Sequence, residues 1–135
     1  GKCVTHEMDV VATHENIQHL VECKYHKDQG KTVGVQVPLY VRSRVNDIIE
    51  KRQSMPDFQG ISFEAWVITN TRFSPDSINY GSCSGVHLLA WNHPRGKGLK
   101  ETIESLKVFP ITILSKLNRN EKQLLLNKGI TSCLE

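Results

Sequence analysis

The sequence predicts an α/β fold, with a mixed central sheet flanked by helices and a small helical C-terminal tail. Two apolar segments near the N-terminus, joined by a polar turn, predict an antiparallel hairpin. Further on, the order strand, helix, strand predicts a parallel pair of strands joined by a right-handed crossover. A length of 135 residues, of which 39% are hydrophobic, suits one ordinary globular core.

The predicted hairpin consists of "EMDVVA" (7–12) and "HLVECKY" (19–25). Side chains alternate across a strand, so Glu22 and Lys24 share one face. If "HENI" is a four-residue turn, partner positions sum to 31, which places Asp9 opposite Glu22 and Glu7 opposite Lys24. A shift of one residue moves Asp9 to the other face, so the register decides whether these groups converge.

The later elements are predicted from apolar runs and from helix start and stop signals. Proline is tolerated in a first helical turn, and glycine often ends a helix. The run "FEAWVITNT" predicts a strand covered on both faces. The expected elements are a helix from Pro38 to Arg52 with an apolar face, a helix begun by Ser74 and ended by Gly85, a buried strand at "VHLLAW", and helices near 99–107 and 119–127.

Composition limits the class of protein. No apolar run approaches the ~20 residues of a membrane span, and the N-terminus does not resemble a signal peptide. We therefore expect a soluble, cytoplasmic protein with no membrane partner. The four cysteines are far apart and include no C-x-x-C, so buried free thiols are expected rather than a disulfide scaffold or a zinc ribbon.

Positive charge is concentrated in the segment from Lys24 to Arg52, where seven basic residues stand against three acidic ones. Such a segment beside a carboxylate is typical of a phosphate-binding site, and a solvated charged face is the alternative. The candidate contacts to DNA in this segment are Lys27, Lys31, Arg42 and Arg44.

The hairpin carboxylates predict a metal site. Two carboxylates a few ångström apart repel each other unless a cation lies between them, and Mg²⁺ takes one or two protein carboxylates while keeping several waters. Lys24 would then stabilise negative charge at a phosphoryl group. The alternative is a pair of cross-strand salt bridges, each worth at most ~1 kcal/mol if exposed.

These residues resemble a known signature. "HEMDVVA" followed by "HLVECKYH" resembles the D…(D/E)-x-K pattern of the restriction-endonuclease-like nucleases, and "AWVITNTRFSPDSINYGSCSGVHLLAW" looks like the second half of the Mrr-type branch. "VTHEMDVVA", "VECKYH", "VPLYVRSRV" and "WVITNTRFSPDSI" are similar to bacterial proteins in which an ATP-cone domain precedes an Mrr-like nuclease domain. The resemblance covers nearly the whole chain.

The resemblance implies a restriction-endonuclease-like fold and Mg²⁺-dependent hydrolysis of DNA, with Mn²⁺ as a substitute. It implies that Asp9 and Glu22 hold the metal and that Lys24 is the catalytic lysine, with Glu7 as a further member. "QVPLY" fits a Q-x-x-x-Y pattern that gives Gln36 and Tyr40 DNA-contacting or site-shaping roles; Tyr40 as a core aromatic is the alternative.

The family's core usually has a helix and a strand ahead of the aspartate strand. The resemblance therefore implies that residues 1–110 are a nuclease core without those elements, and that 111–135 form a C-terminal helical extension packed on the core. Uncovered apolar surface would favour a homodimer, and an ATP-cone domain is expected in the full-length protein.

Two further points stay open. "TNTRF" (69–73) follows a buried strand and would bring Asn70 and Arg72 to a strand-end cleft as DNA contacts, or Asn70 only helps to form the turn before the next helix. The rival function is a non-cleaving DNA-binding or regulatory module that keeps the fold, with Asp9, Glu22 and Lys24 reduced to salt bridges.

Overall fold

The computed structural model describes residues 1–106. The chain forms two compact units, Gly1–Leu99 and Lys100–Glu135. The predicted boundary at residue 110, the extension 111–135 and the helix near 119–127 lie outside the described residues. The described part contains β1 (Val10–His14), β2 (Ile17–Lys24), β3 (Thr32–Val33), α1 (Gln36–Gln53), a short 3-10 helix (Pro56–Phe58), β4 (Ser62–Thr69), β5 (Arg72–Phe73), α2 (Pro75–Ser84), β6 (His87–Leu89) and α3 (Leu99–Leu106).

The architecture is α/β, with a mixed central sheet flanked by helices. The sheet has the strand order β1-β2-β4-β6, in which β1 is antiparallel to β2 while β2, β4 and β6 run parallel. A separate two-stranded parallel sheet joins β3 to β5. The carboxyl ends of three parallel strands therefore meet at one edge of the central sheet, where open α/β sheets commonly bind ligands.

The core lies between one face of the central sheet and the helices α1 and α2. Leu20 of β2 and Val67 of β4 are fully buried, as are Val41 and Val45 of α1. Full burial of such an aliphatic side chain contributes roughly 1.5–3 kcal/mol relative to exposure. The apolar spacing predicted for α1 is confirmed, because its four-residue repeat points into this core.

Local signals set the helix ends. The Oγ of Ser74 accepts a hydrogen bond from the Ser77 backbone N–H at 3.1 Å, and Gly85 ends α2 in the left-handed conformation with φ of 74°. Both predicted ends of α2 are confirmed. α1 begins at Gln36, two residues before the predicted Pro38, because proline fits anywhere in a first turn, where its missing N–H has no helical partner.

The second face of β4 differs from the prediction of an apolar strand covered on both sides. Ala65 and Val67 are buried on the core face, whereas Trp66 on the other face is half-buried. The Trp66 indole Nε1 donates to His19 Nδ1 at 3.1 Å, and its ring stacks on that of His87 with centroids 4.5 Å apart. The second face is therefore polar and aromatic, because ring nitrogens and indole find partners across the strands.

The prediction of buried thiols is wrong for the described cysteines. Cys3, Cys23 and Cys83 are free and exposed, and Cys133 lies outside the described residues. Cys23 is exposed because alternation places it on the face opposite Leu20, away from the core. None of the helices within residues 1–106 combines the length and apolarity needed to cross a membrane.

Candidate functional site

The hairpin register positions the candidate site. Val10 pairs with Val21 and His14 with Ile17, so partner positions sum to 31 as predicted. The strands extend farther into the turn than expected, because Glu15 and Asn16 take positive φ values of 48° and 65° and close the hairpin with two residues. The ladder ends at the pair Val10–Val21, so Asp9 precedes the paired residues and its predicted pairing with Glu22 is not part of the ladder.

Asp9 lies just before β1, and its side chain rather than its backbone bonds to β2. Its carboxylate Oδ2 accepts a hydrogen bond from the backbone N–H of Cys23 at 2.8 Å. Cys23 is the residue between Glu22 and Lys24, so Asp9 is held beside the backbone that carries both. Partial burial raises the pKa of the Cys23 thiol, and the Asp9 and Glu22 carboxylates raise it further. The Asp9 and Glu22 carboxylates are thus both close enough to Cys23 to influence its thiol electrostatically.

Glu22 is the buried charge of the site, with 8% of its surface exposed. Its Oε1 lies 3.4 Å from the Lys24 Nζ and accepts a hydrogen bond from the Tyr40 hydroxyl at 3.4 Å. Its Oε2 lies 3.5 Å from the Arg44 guanidinium. A carboxylate with this little access to water requires charged or polar partners, and these three side chains supply them.

Two side chains of α1, Tyr40 and Arg44, contact this carboxylate. Gln36, Tyr40 and Arg44 are four residues apart, so they lie above one another on the helix. Two cations lie near the Tyr40 ring, with the Lys24 Nζ 5.4 Å and the Arg44 guanidinium carbon 5.7 Å from its centroid. Tyr40 also packs against the core, as its alternative role of core aromatic predicts.

Arg44, a predicted DNA contact, lies within the cluster. It pairs with Glu22 and donates to the backbone carbonyl of Glu7. Glu7 itself precedes β1 and lies outside the ladder, so it is not paired with Lys24 as predicted; it contacts the cluster through its carbonyl oxygen. Gln36 opens α1, where its carboxamide folds over Gly34.

Lys24 is held as a cation. The Tyr40 hydroxyl raises the pKa of Lys24 most, and the Glu22 carboxylate adds to this effect against an opposing contribution from partial burial. The raised pKa keeps the ammonium protonated at neutral pH. Lys24 can therefore stabilise negative charge on a bound phosphate, and it is unsuited to accept a proton from water.

The chemistry of the donor set fits a hard divalent cation. Within residues 1–106, no three His, Cys, Asp or Glu side chains form a group that could hold a metal ion. Mg²⁺ does not need three, since it commonly binds through one or two carboxylates together with waters and substrate oxygens. Asp9, which bonds to the backbone N–H of Cys23, and Glu22, the residue before Cys23, are the two carboxylates that could hold such an ion.

The remaining predicted DNA contacts fall into three groups, of which the first two are the loop lysines and Arg42. Lys27 and Lys31 are exposed in the loop after β2, beside the site. Arg42 lies on a different face of α1 from Arg44, where its Nη1 contacts Asn46 at 3.5 Å and its buried Nε has no hydrogen-bond partner among the described residues. The structure therefore does not bring Arg42 to the cluster.

Asn70 and Arg72 lie at the carboxyl edge of the sheet and bind protein backbone. Asn70 accepts from the His26 N–H at 2.9 Å and donates to the His26 carbonyl at 2.7 Å. Arg72 donates to the Gly30 carbonyl at 3.1 Å. Spacing alone gave no signal for these contacts, because the partners are more than forty residues apart in sequence.

Comparisons with known proteins identify relatives. No family model matches the chain. An uncharacterized protein of Archaeoglobus fulgidus is 31% identical over 133 residues, which is 98% of this chain and 70% of the relative. The crystal structure of AF1548, a protein of unknown function, is similar with a TM-score of 0.76 at 30% identity, covering 99% of this chain and 67% of that one. The chain belongs to the same family as the uncharacterized Archaeoglobus fulgidus protein.

Proposed function

We propose that the protein is a metal-dependent nuclease of the restriction-endonuclease-like, Mrr type that hydrolyses phosphodiester bonds in DNA. One observation carries the proposal: the Asp9 carboxylate accepts a hydrogen bond from the backbone N–H of Cys23, the residue between the buried Glu22 and Lys24, and the Lys24 ammonium lies 3.4 Å from the Glu22 carboxylate. Two carboxylates can bind a divalent cation, and a lysine ammonium beside them can pair with a phosphate of the substrate. The order and spacing of the D…E-x-K residues add to this support.

Mg²⁺ is the proposed cofactor, with Mn²⁺ as a substitute, and Asp9 and Glu22 would hold it. When bound, such an ion stabilises charge on phosphoryl oxygens and makes water a stronger nucleophile at neutral pH. Lys24, kept protonated by Tyr40 and Glu22, offsets the negative charge that develops at the phosphate. Tyr40 and Arg44 orient the Glu22 carboxylate from α1, which fixes its position before substrate binds.

The proposed partner is DNA, which approaches the carboxyl edge of the parallel strands. Lys27 and Lys31 lie in the exposed loop at this edge and would contact phosphates there. A homodimer, an ATP-cone domain in the full-length protein and a cytoplasmic location are parts of the same proposal. The ATP-cone domain rests on the resemblance alone, the homodimer on the apolar surface that the resemblance leaves uncovered, and the location on the sequence, which has no signal-peptide-like start.

Substitution of the three site residues tests the proposal. Asp9→Asn, Glu22→Gln and Lys24→Met should each abolish Mg²⁺-dependent cleavage of DNA, because each removes a ligand or a charge used at the scissile phosphate. Losses should be strongly non-additive, since the residues act as a unit. DNA binding without metal should largely survive.

Matched controls are Asp57→Asn and Lys51→Met, which make the same chemical changes at exposed positions outside the cluster. Both controls should cleave at the parent rate. Cleavage by Lys24→Met at the parent rate would refute the nuclease proposal.

A non-cleaving DNA-binding module is the second candidate, and one observation favours it. Both carboxylate oxygens of Glu22 lie within 3.5 Å of a cationic side chain, as they would in a purely structural ion-pair network. In that case the protein would bind DNA, cleave none, and respond to Mg²⁺ only through ionic strength.

A further inference from the structure

The loop that follows β2, residues 25–31, is held by hydrogen bonds from two residues, Asn70 and Arg72, that follow β4 in the chain. Asn70 clamps its first turn, because the side-chain amide both accepts from and donates to the backbone of His26, at 2.9 and 2.7 Å. Arg72 fastens the other end by donating to the Gly30 carbonyl at 3.1 Å and to the Thr32 hydroxyl at 3.0 Å.

The loop also has hydrogen bonds of its own. The Asp28 carboxylate accepts from the Gly30 N–H at 2.8 Å, and the Asp28 carbonyl accepts from the Lys31 N–H at 3.1 Å. Its backbone is therefore fixed before any ligand arrives. A side chain on such a loop loses less conformational entropy on binding than one on a mobile loop.

This fixed loop presents an exposed aromatic residue one position after Lys24 in the chain. Tyr25 directly follows Lys24 and has 75% of its surface exposed, more than any other exposed large hydrophobic residue in the described part of the chain. Lys27 and Lys31 on the same loop are exposed too. An aromatic ring between cations is the combination that binds single-stranded nucleic acid, where bases stack on rings and the backbone contacts the charges.

We propose that Tyr25 stacks on an unpaired base of the DNA bound at the site, so that the substrate class is DNA with locally unpaired nucleotides beside the scissile phosphate. The inference rests on the proposed function. In an intact duplex both π-faces of each base are covered by its neighbours, whereas an unpaired base offers a free face.

Asn70 and Arg72 become positioning residues under this assignment. Their polar atoms hold the loop backbone that carries Tyr25 and the two lysines. The three exposed side chains of the loop then make the contacts to DNA.

The test compares two DNA duplexes that differ only in a two-nucleotide mismatch at the centre. Binding is measured by fluorescence anisotropy without divalent metal, so that cleavage does not interfere, and 2-aminopurine in the mismatch reports stacking by loss of its fluorescence. The proteins are wild type, Tyr25→Phe, Tyr25→Ala and, as the control, Trp91→Ala. Trp91 is another exposed aromatic, and it follows β6, two strands away from β2 in the sheet.

We expect wild type and Tyr25→Phe to prefer the mismatched duplex and to quench the 2-aminopurine. Tyr25→Ala should bind the mismatched duplex about tenfold more weakly and lose the quenching, while its affinity for the intact duplex is unchanged. Trp91→Ala should behave like wild type.

Three results would overturn the inference: equal binding of both duplexes by wild type, an equal loss on both duplexes in Tyr25→Ala, or a matching loss in Trp91→Ala. Failure of the proposed function is a separate result. Quenching by wild type without Mg²⁺-dependent cleavage would refute nuclease activity and leave the stacking role in place, whereas a wild type that binds neither duplex would refute both.

Discussion

Replacing Asn70 by Asp tests whether this residue holds the loop after β2 rather than contacting DNA. The substitution keeps the oxygen that accepts from the His26 N–H. It replaces the donating Nδ2, 2.7 Å from the His26 carbonyl, by a second carboxylate oxygen that faces that carbonyl. One hydrogen bond is lost and two oxygens are brought into repulsive contact.

The expected cost follows from the partly buried position of Asn70. A lost hydrogen bond of this type is worth about 0.5–1.5 kcal/mol, and an acceptor left without a partner adds about 1–3 kcal/mol when fully buried. For a half-buried pair we expect the free energy of unfolding at pH 7 to fall by about 2 kcal/mol. Near pH 3 the introduced carboxyl is protonated and can donate again, so the deficit should shrink.

Urea denaturation measures this loss, and hydrogen exchange at the His26 amide locates it. The control is Asn79→Asp, which makes the same change at an exposed position of α2 and should stay within about 0.5 kcal/mol of wild type. If Asn70→Asp and Asn79→Asp are equally stable, the clamp contributes nothing and the loop is not fixed as argued.

Two further predictions concern charge. Hydrogen bonds from the backbone N–H of Cys3 above all, and from His6, hold the pKa of Asp47 far below its usual range. Asp47→Asn should therefore be less stable than wild type at pH 7, and the difference in free energy of unfolding should shrink as pH falls below about 4, because wild type then loses the contribution of the ionised carboxylate. An equal difference at pH 7 and pH 3 in thermal unfolding would contradict this. Lys27→Met and Lys31→Met should each make the plot of log affinity against log salt concentration less steep by about 0.9 on duplex DNA. Unchanged slopes would show that neither lysine contacts a phosphate.

The signals that proved reliable in the sequence are local ones. The capping of α2 by Ser74 and Gly85 depends on residues within the helix or next to it, and the structure has both. The hairpin register follows from the length of the turn, and its predicted pairing is confirmed from Val10–Val21 to His14–Ile17, whereas Asp9 precedes the paired residues. The predicted α/β class and mixed sheet follow from the same periodicities.

The contacts that the sequence did not predict join distant parts of the chain. Arg44 was assigned to DNA from its charge, and its pairing with Glu22 depends on how closely α1 approaches β2. Asn70 was interpreted as a turn residue or a DNA contact, and its clamp on His26 requires two strand ends to lie side by side. Periodicity gives the face of a side chain, and only tertiary packing determines what that face meets.

Metal binding by purified protein tests the proposed function most directly. The Lys24 ammonium lies 3.4 Å from Glu22 Oε1, so it competes with a cation for that carboxylate. Titration with Mn²⁺, followed by electron paramagnetic resonance, should show one site in wild type, loss of the site in Asp9→Asn and Glu22→Gln, and equal or tighter binding in Lys24→Met. A wild type that binds no Mn²⁺, or a Lys24→Met variant that loses the site, would contradict the assignment of Asp9 and Glu22 as metal ligands beside a catalytic lysine.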